Sequence, residues 1–249
     1  RLSASIACLT GFLLWFAAEV MVAGIGSPQR LVTLDVGNGS CHIFQSGSGC
    51  VMVDCGSMSR RNLSSTTIIP AMKRLGVTKI DVMFLTHANL DHYAALGDLA
   101  GRFPIGRICI GESFMNKAAE ETEGPESRLL DIIRDWRIEL LVVESGWEER
   151  IGDHTWKVLH PPDSYRSGIE NDSSLVISVR QEGTEEPSRS MIMFTGDIEE
   201  DGMRDLMESH PDEMMTHVLE APHHGSVRPS TNSFVDSSSP SIIIQSTGP

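Results

Sequence analysis

Four short polar clusters carry residues able to do chemistry, and each flanks an apolar, strand-like run. They are Thr86-His87-Ala88-Asn89-Leu90-Asp91-His92, Asn171-Asp172-Ser173-Ser174, Thr195-Gly196-Asp197 and Pro222-His223-His224-Gly225-Ser226. Imidazole and carboxylate are the donors of a hydrolytic Zn²⁺ or Mn²⁺ centre, and a catalytic centre keeps one position open for water. Asp91 and His92 are adjacent, so both can converge on one ion with little chain entropy to lose. Asp197 and one of His223 and His224 then complete a shell of about four ligands. No cluster is diagnostic alone. A Thr-Gly-Asp run is a common turn, and a lone histidine is usually a satisfied surface or core group, the reading given to His42, His154, His160, His210 and His217. The order of the four clusters, each at a strand end, is what points to a metal site.

The clusters need strands to place them. After Pro28, LVTLDV (31–36), CHIFQS (41–46) and CVMVD (50–54) alternate with Gly-rich turns and predict an antiparallel meander. IDVMFLT (80–86) is a continuous apolar run, the pattern of a strand buried on both faces. Further strands are predicted at 107–110, 138–144, 156–160, 175–180, 191–197, 216–221 and 241–245, with helices at 66–75, 91–100, 127–136 and 198–209. The acidic stretch AAEETEGPE (118–126) reads as a solvated loop and 181–190 as a polar hairpin tip. Strands interleaved with helices predict an α/β domain over 28–249, with its sites at the carboxyl ends of strands.

Composition narrows the function. In 249 residues, 40% are hydrophobic and 22% charged, which excludes a disordered, collagenous or coiled-coil chain. Lys+Arg 20 against Asp+Glu 34 gives a net charge of −14, so no generic basic surface holds nucleic acid. A polyanion would have to be held by a metal or a local patch. The 5 cysteines show no Cys-x-x-Cys spacing and read as free thiols. Residues 2–26 carry one charge, Glu19, and are long enough to span a bilayer. We read 1–27 as the end of a membrane domain rather than a signal peptide or a buried helix. The ends, Arg1 and Gly248-Pro249, read as cut from a longer chain.

The run His87-x-Asn89-x-Asp91-His92 resembles the H-x-[HD]-x-D-H motif of the metallo-β-lactamase fold. The ordered set LDVGNGS (34–40), MVDCGS (52–57), FLTHANLDHYAAL (84–96), VLHPP (158–162), ENDSSLVISV (170–179), MFTGDIE (193–199) and EAPHHGS (220–226) resembles the C-terminal domain of ComEC-type DNA-internalisation competence proteins, over about residues 31–246. The resemblance implies an αββα sandwich of two mixed sheets. It also implies a metal-dependent phosphodiesterase or nuclease acting on DNA, as single strand or linear duplex, during uptake through a channel in the bacterial cell membrane. By this match the metal, Zn or Mn, is held by His87, Asp91, His92, Asp197 and His224, with His224 rather than His223 taken as the ligand of that pair. Asp91 also serves catalysis through the ion's water, and His223 donates a proton or hydrogen bond to the phosphate.

Asn89 stands where the family has Asp or His, and a neutral amide is a weak ligand. One tightly held ion is therefore expected, with a second beside His87 weak until substrate phosphate completes it. Asp35 is expected to orient a ligand, or else simply to form a turn; Ser174 and Ser226 contact phosphate or cap turns. Two rival readings keep most of these residues: a hydrolase of a small phosphodiester or thioester, and a degenerate, non-catalytic domain of the channel protein.

Overall fold

The structure, a computed structural model, describes residues 29–47, 49–181 and 189–247. The segment expected to end a membrane domain, 1–27, and most of the expected hairpin tip lie outside those residues. Among the described residues no helix is long and apolar enough to cross a membrane.

The meander forms as predicted: β1 (Arg30–Thr33), β2 (His42–Ser46) and β3 (Gly49–Val53) pair antiparallel. β3 then pairs parallel with β4 (Ile80–Phe84), followed by β5 (Ile105–Ile110) and β6 (Glu139–Val142). A second sheet runs β7 (Glu148–Ile151), β8 (His154–His160), β9 (Val176–Gln181), β10 (Ser190–Phe194), β11 (Thr216–Glu220) and β12 (Ile242–Ile244). β7 to β10 pair antiparallel and β10 to β12 parallel, so both sheets are mixed.

The apolar strands are read out with a period of two, successive side chains serving opposite faces. Phe44, Phe84 and Phe194 point between the sheets, whereas their neighbours Ile43, Met83 and Met193 point into outer layers. Trp156 fills the middle, stacked at 5.6 Å on Phe84 and 6.2 Å on Phe194. The outer face of the first sheet is covered by a π turn (Ser64–Ile68) continuing into α1 (Ile69–Arg74), α2 (Leu90–Tyr93), α3 (Leu96–Ala100), α4 (Glu112–Glu120) and α5 (Pro125–Asp135). α6 (Glu200–Ser209) and α7 (Thr231–Ser238) cover the second through Met203, Leu206 and Phe234. The central strands so covered need two apolar faces, which is why runs such as 80–86 lack alternation.

Three expectations change. The acidic stretch 118–126 is not one loop: α4 continues to Glu120 and α5 starts at Pro125. Phe114 and Ala118 bury one face of α4, so its charges mark a solvated helix face. The helix expected at 91–100 is broken, because the Ala95 N–H donates to the Cys55 carbonyl at 3.0 Å instead of continuing the helical ladder. β7 and the Ser-rich α7 were not among the predicted elements. Cys41, Cys50, Cys55 and Cys109 are free and buried, as expected.

Candidate metal centre

Asp91 and His92 lie in α2, directly after β4. Asp197 follows β10 and His224 sits in the tight turn Pro222–Gly225 after β11. All three strands make parallel pairings, and their carboxyl ends place the loops together. Gly196, at φ +51°, leads the chain past Thr86, whose side chain a Cβ there would strike at 2.8 Å. One donor atom each of Asp91, His92, Asp197 and His224 lies within 4.8 Å of the others. His92 Nε2 is 3.2 Å from Asp197 Oδ1, and His224 Nε2 is 3.4 Å from Asp197 Oδ2 and 3.6 Å from Asp91 Oδ2. His87 Nε2 stands outside this group, 3.9 Å from Asp197 Oδ2.

The donors suit a divalent cation. The buried Nε2 atoms of His87, His92 and His224 have no hydrogen-bond partner among the described residues. Their Nδ1 atoms are engaged: His92 with Asp54 Oδ2 at 2.7 Å, His224 with the Ser246 carbonyl at 2.9 Å, His87 with Thr86 Oγ1 at 3.1 Å. An Nδ1–H that donates to a carboxylate or carbonyl leaves Nε2 its lone pair, the form a metal ligand needs. Although burial works against its charge, the Asp197 carboxyl is held far below the usual range, first by His92 and further by His224. Asp91 is lowered by His224 and His92 against the same burial penalty. Burial opposes protonation of His92 and His224, but their carboxylates win and raise both, His92 well above its ordinary value. Those protons occupy the place a cation takes when it binds. His87 moves the other way, pushed down first by burial and then by His92, and stays a neutral imidazole.

The second layer differs from expectation. Asp35 is 79% exposed and pairs with Arg60 at 2.5 Å and the Gly37 N–H at 3.2 Å, so it orients no ligand. The role belongs to Asp54, at the end of β3, which also accepts from the Thr86 N–H and hydroxyl at 2.8 Å each. Asp54 lies within MVDCGS (52–57), a run whose residue types alone give it no role. Its signal was position, since β3 is the sheet neighbour of β4. Glu220 was missed in the same way. It is buried at the end of β11, accepts from the Thr195 and Gly196 N–H groups at 2.9 and 3.1 Å, and meets His42 Nε2 at 2.8 Å. It thereby fixes the turn that carries Asp197.

Asn89 does not join the cluster; its amide donates to Asn171 Oδ1 at 2.8 Å. Asn171 donates in turn to Glu199 Oε1 at 3.0 Å, and Arg228 Nε donates to Glu199 Oε2 at 2.8 Å. His223 Nδ1 stands 2.9 Å from Glu199 Oε1, with Nε2 3.8 Å from Asp197 Oδ2. His223 and His224 both have positive φ, 45° and 53°. That strain, of order 1–3 kcal/mol per residue, is the cost of presenting two adjacent imidazoles on one turn. Asp172 caps α6, accepting from the Glu199 and Gly202 N–H groups at 3.1 and 3.0 Å. Ser174 is fully buried, its hydroxyl without a partner among the described residues; the Ser226 N–H closes the turn onto the His223 carbonyl at 2.9 Å.

Residues 34–176, more than half of the chain, match the family described as the Metallo-beta-lactamase superfamily. The chain belongs to that superfamily. Within it, the chain is similar to ComE operon protein 3 of Bacillus subtilis, at 28% identity over 189 residues, covering 75% of this chain and 22% of the relative. It is also similar to Competence protein ComA of Neisseria gonorrhoeae, at 24% identity over 215 residues, covering 86% and 26%. The chain thus spans about a quarter of the length of these relatives. Among solved structures, a metallo-beta-lactamase superfamily protein from Sulfolobus tokodaii superposes with a TM-score of 0.50 at 14% identity, covering 85% of this chain and 86% of that one. The CmlA beta-hydroxylase gives 0.50 at 16% identity, covering 87% and 45%. Both show the superfamily fold alone. The resemblance to ComEC-type proteins read from the motifs agrees with the two curated relatives.

Proposed function

We propose that this metallo-beta-lactamase domain is a metal-dependent phosphodiesterase, a nuclease acting on DNA during uptake through a membrane channel of which the chain is part. The observation that carries the reading is the four-donor cluster with unpartnered imidazole nitrogens turned toward two ionised carboxylates. Similarity to the competence relatives supports DNA as the substrate. Asp91, His92, Asp197 and His224 would hold one ion, zinc or manganese, with His87 the donor nearest to a second. A divalent ion there would supply Lewis acidity and bring the pKa of a bound water down toward about 7. It would also invert the local sign of a −14 chain where a phosphate must sit.

The residues divide the remaining work. His92 and Asp197 are buried, whereas Asp91, His224 and His223 are partly exposed, so substrate approaches from that side. Asp91 is thus both a ligand and the carboxylate nearest an incoming water. Glu199, steadied by Asn171 and Arg228, stands 2.9 Å from His223 Nδ1 and orients the ring. Nε2 of His223, on the metal side of the ring, is the group that would hydrogen-bond or protonate a phosphate oxygen or the leaving oxygen. Ser226 would contact phosphate beside it, whereas Ser174 contributes to its turn through the backbone, its N–H donating to the Asn171 carbonyl at 3.0 Å.

The test is metal content measured together with Mn²⁺-dependent cleavage of linear DNA, alongside Asp91→Ala and His92→Ala. Cleavage that needs both residues is the expected result. Metal binding without cleavage would transfer the site to a small phosphodiester or thioester, and a folded chain that takes no metal would make the domain a non-catalytic part of the channel.

A further inference from the structure

A cleft of about 420 Å³ opens beside the metal centre, with Asp91 in its wall. Its apolar lining comes from Met58, Ala88, Leu90 and Pro125. Met58 is 62% exposed and Leu90 39% exposed, two large apolar side chains standing free at a site otherwise built of polar groups. The charged lining is Asp91, Glu121 and Glu126 against a single cation, Lys117. Lys117 is already spent: its Nζ donates to the Ala88 carbonyl at 2.9 Å and to both Glu170 oxygens at 2.7 and 2.8 Å, and lies 3.4 Å from Glu126 Oε1. A phosphate entering the cleft would meet carboxylates and no available cation. The cleft is therefore suited to the uncharged part of a substrate whose phosphate lies at the ion.

Glu126 adds a directional feature. Its side chain is buried, Oε1 accepts from the Tyr93 hydroxyl at 2.8 Å, and Oε2 has no hydrogen-bond partner among the described residues. A buried carboxylate oxygen without a donor is costly, and an N–H group is what would satisfy it. Apolar lining with an exposed, polarisable thioether suits a planar ring, and a carboxylate suits an exocyclic amino group.

We propose that this cleft seats a nucleobase of the strand being cut, with preference for a base bearing an amino group; the proposal rests on the phosphodiesterase reading. Met58 and Leu90 pack on the ring, and Glu126 accepts from its amino group. Asp91, shared by the cleft and the metal centre, fixes the spacing between base and phosphate.

The test is calorimetric titration of the Mn²⁺-loaded chain with deoxycytidine 5′-monophosphate, thymidine 5′-monophosphate and inorganic phosphate. Both nucleotides are expected to bind about tenfold tighter than phosphate, deoxycytidylate the tighter of the two. Met58→Ala should shrink the nucleotide advantage about fivefold, the effect of removing a thioether that the bound ring covers. Glu126→Gln should erase the preference for deoxycytidylate over thymidylate, because the amide replaces an acceptor by a donor. Nucleotides that bind no tighter than phosphate, or an advantage untouched by Met58→Ala, would overturn the proposal. Hydrolysis of bis(p-nitrophenyl) phosphate by the same preparation separates the two readings. Hydrolysis without a nucleotide advantage removes the base seat alone, whereas nucleotide binding without hydrolysis removes the phosphodiesterase and leaves the seat.

Discussion

His92 is gripped at Nδ1 by Asp54, which leaves its unpartnered Nε2 facing Asp197 at 3.2 Å, and an imidazole so held is what a ligand position requires. Asp54 sets the tautomer and raises the basicity of the ring; its loss leaves the donor in place but poorly aimed. Carboxylates in this position typically contribute 10- to 100-fold in metal affinity. Asp54→Asn is therefore predicted to weaken Mn²⁺ or Zn²⁺ binding by about that factor, measured by competition with a chromophoric chelator. Asp35→Asn should leave the affinity unchanged, since Asp35 spends its carboxylate on Arg60 at the surface. The reverse pattern, or equal effects, would return Asp35 to the role that sequence reasoning gave it. His92→Ala is expected to cost far more than Asp54→Asn, because it removes a donor atom rather than its orientation.

At the scale of elements, the site depends on turns that are themselves held by buried polar groups. Glu220 joins β11, the turn of Asp197 and, through His42, β2 of the opposite sheet. Removing one partner of a buried pair commonly costs about 3–5 kcal/mol, so Glu220→Gln should lower the unfolding free energy by an amount of that order in urea titration at pH 7. The pH dependence follows from the direction of the shift. Burial raises the Glu220 carboxyl, but His42 and the Gly196 N–H outweigh it and the net displacement is below the ordinary value of 4.5. A carboxyl depressed in the folded state stabilises fully above its unfolded value and loses that contribution as pH falls through the folded one. The gap between wild type and Glu220→Gln should therefore be constant above pH 4.5 and close below it. A gap that widens on acidification would contradict the assignment. Trp156→Ala probes the layer beneath, where the indole stacks between Phe84 and Phe194; it should cost about 3–5 kcal/mol in the same measurement. Much of this frame was legible beforehand, because strands such as 80–86 declare two buried faces and the polar clusters stand where those strands end. Asp54 and Glu220 were not, because their partners lie 38 and 178 residues away and only the sheet registers bring them together. The acidic stretch 118–126 misled for a local reason: its charges outnumber the few apolar residues that bury α4.

For the whole molecule, the decisive fact is that the four donors come from both halves. Asp91 and His92 follow β4 of the first sheet, and Asp197 and His224 follow β10 and β11 of the second. An ion held by all four would tie the sheets together at the rim, while the Trp156 cluster ties them in the interior. Since the unfolded chain cannot assemble the site, binding stabilises the folded state by mass action, about 2.7 kcal/mol when free metal is 100 times its dissociation constant. For a domain of this size each kcal/mol moves the melting temperature by about 2–4 °C, so saturation should raise it by about 5–10 °C in scanning calorimetry, reversibly on chelation. His92→Ala should melt at one temperature with or without metal. Hydrogen exchange places the effect. Chelation should speed exchange at 86–92, 195–199 and 222–226, the loops that share the ion, and leave the amides of β2 and β9 unchanged, because their sheet pairings and the apolar core hold those strands away from the ion. Uniform acceleration across both sheets would mean instead that the ion is required for the fold itself. An unchanged pattern, with binding shown separately, would mean that the ion is held by one half alone and that the four-donor cluster is not its seat.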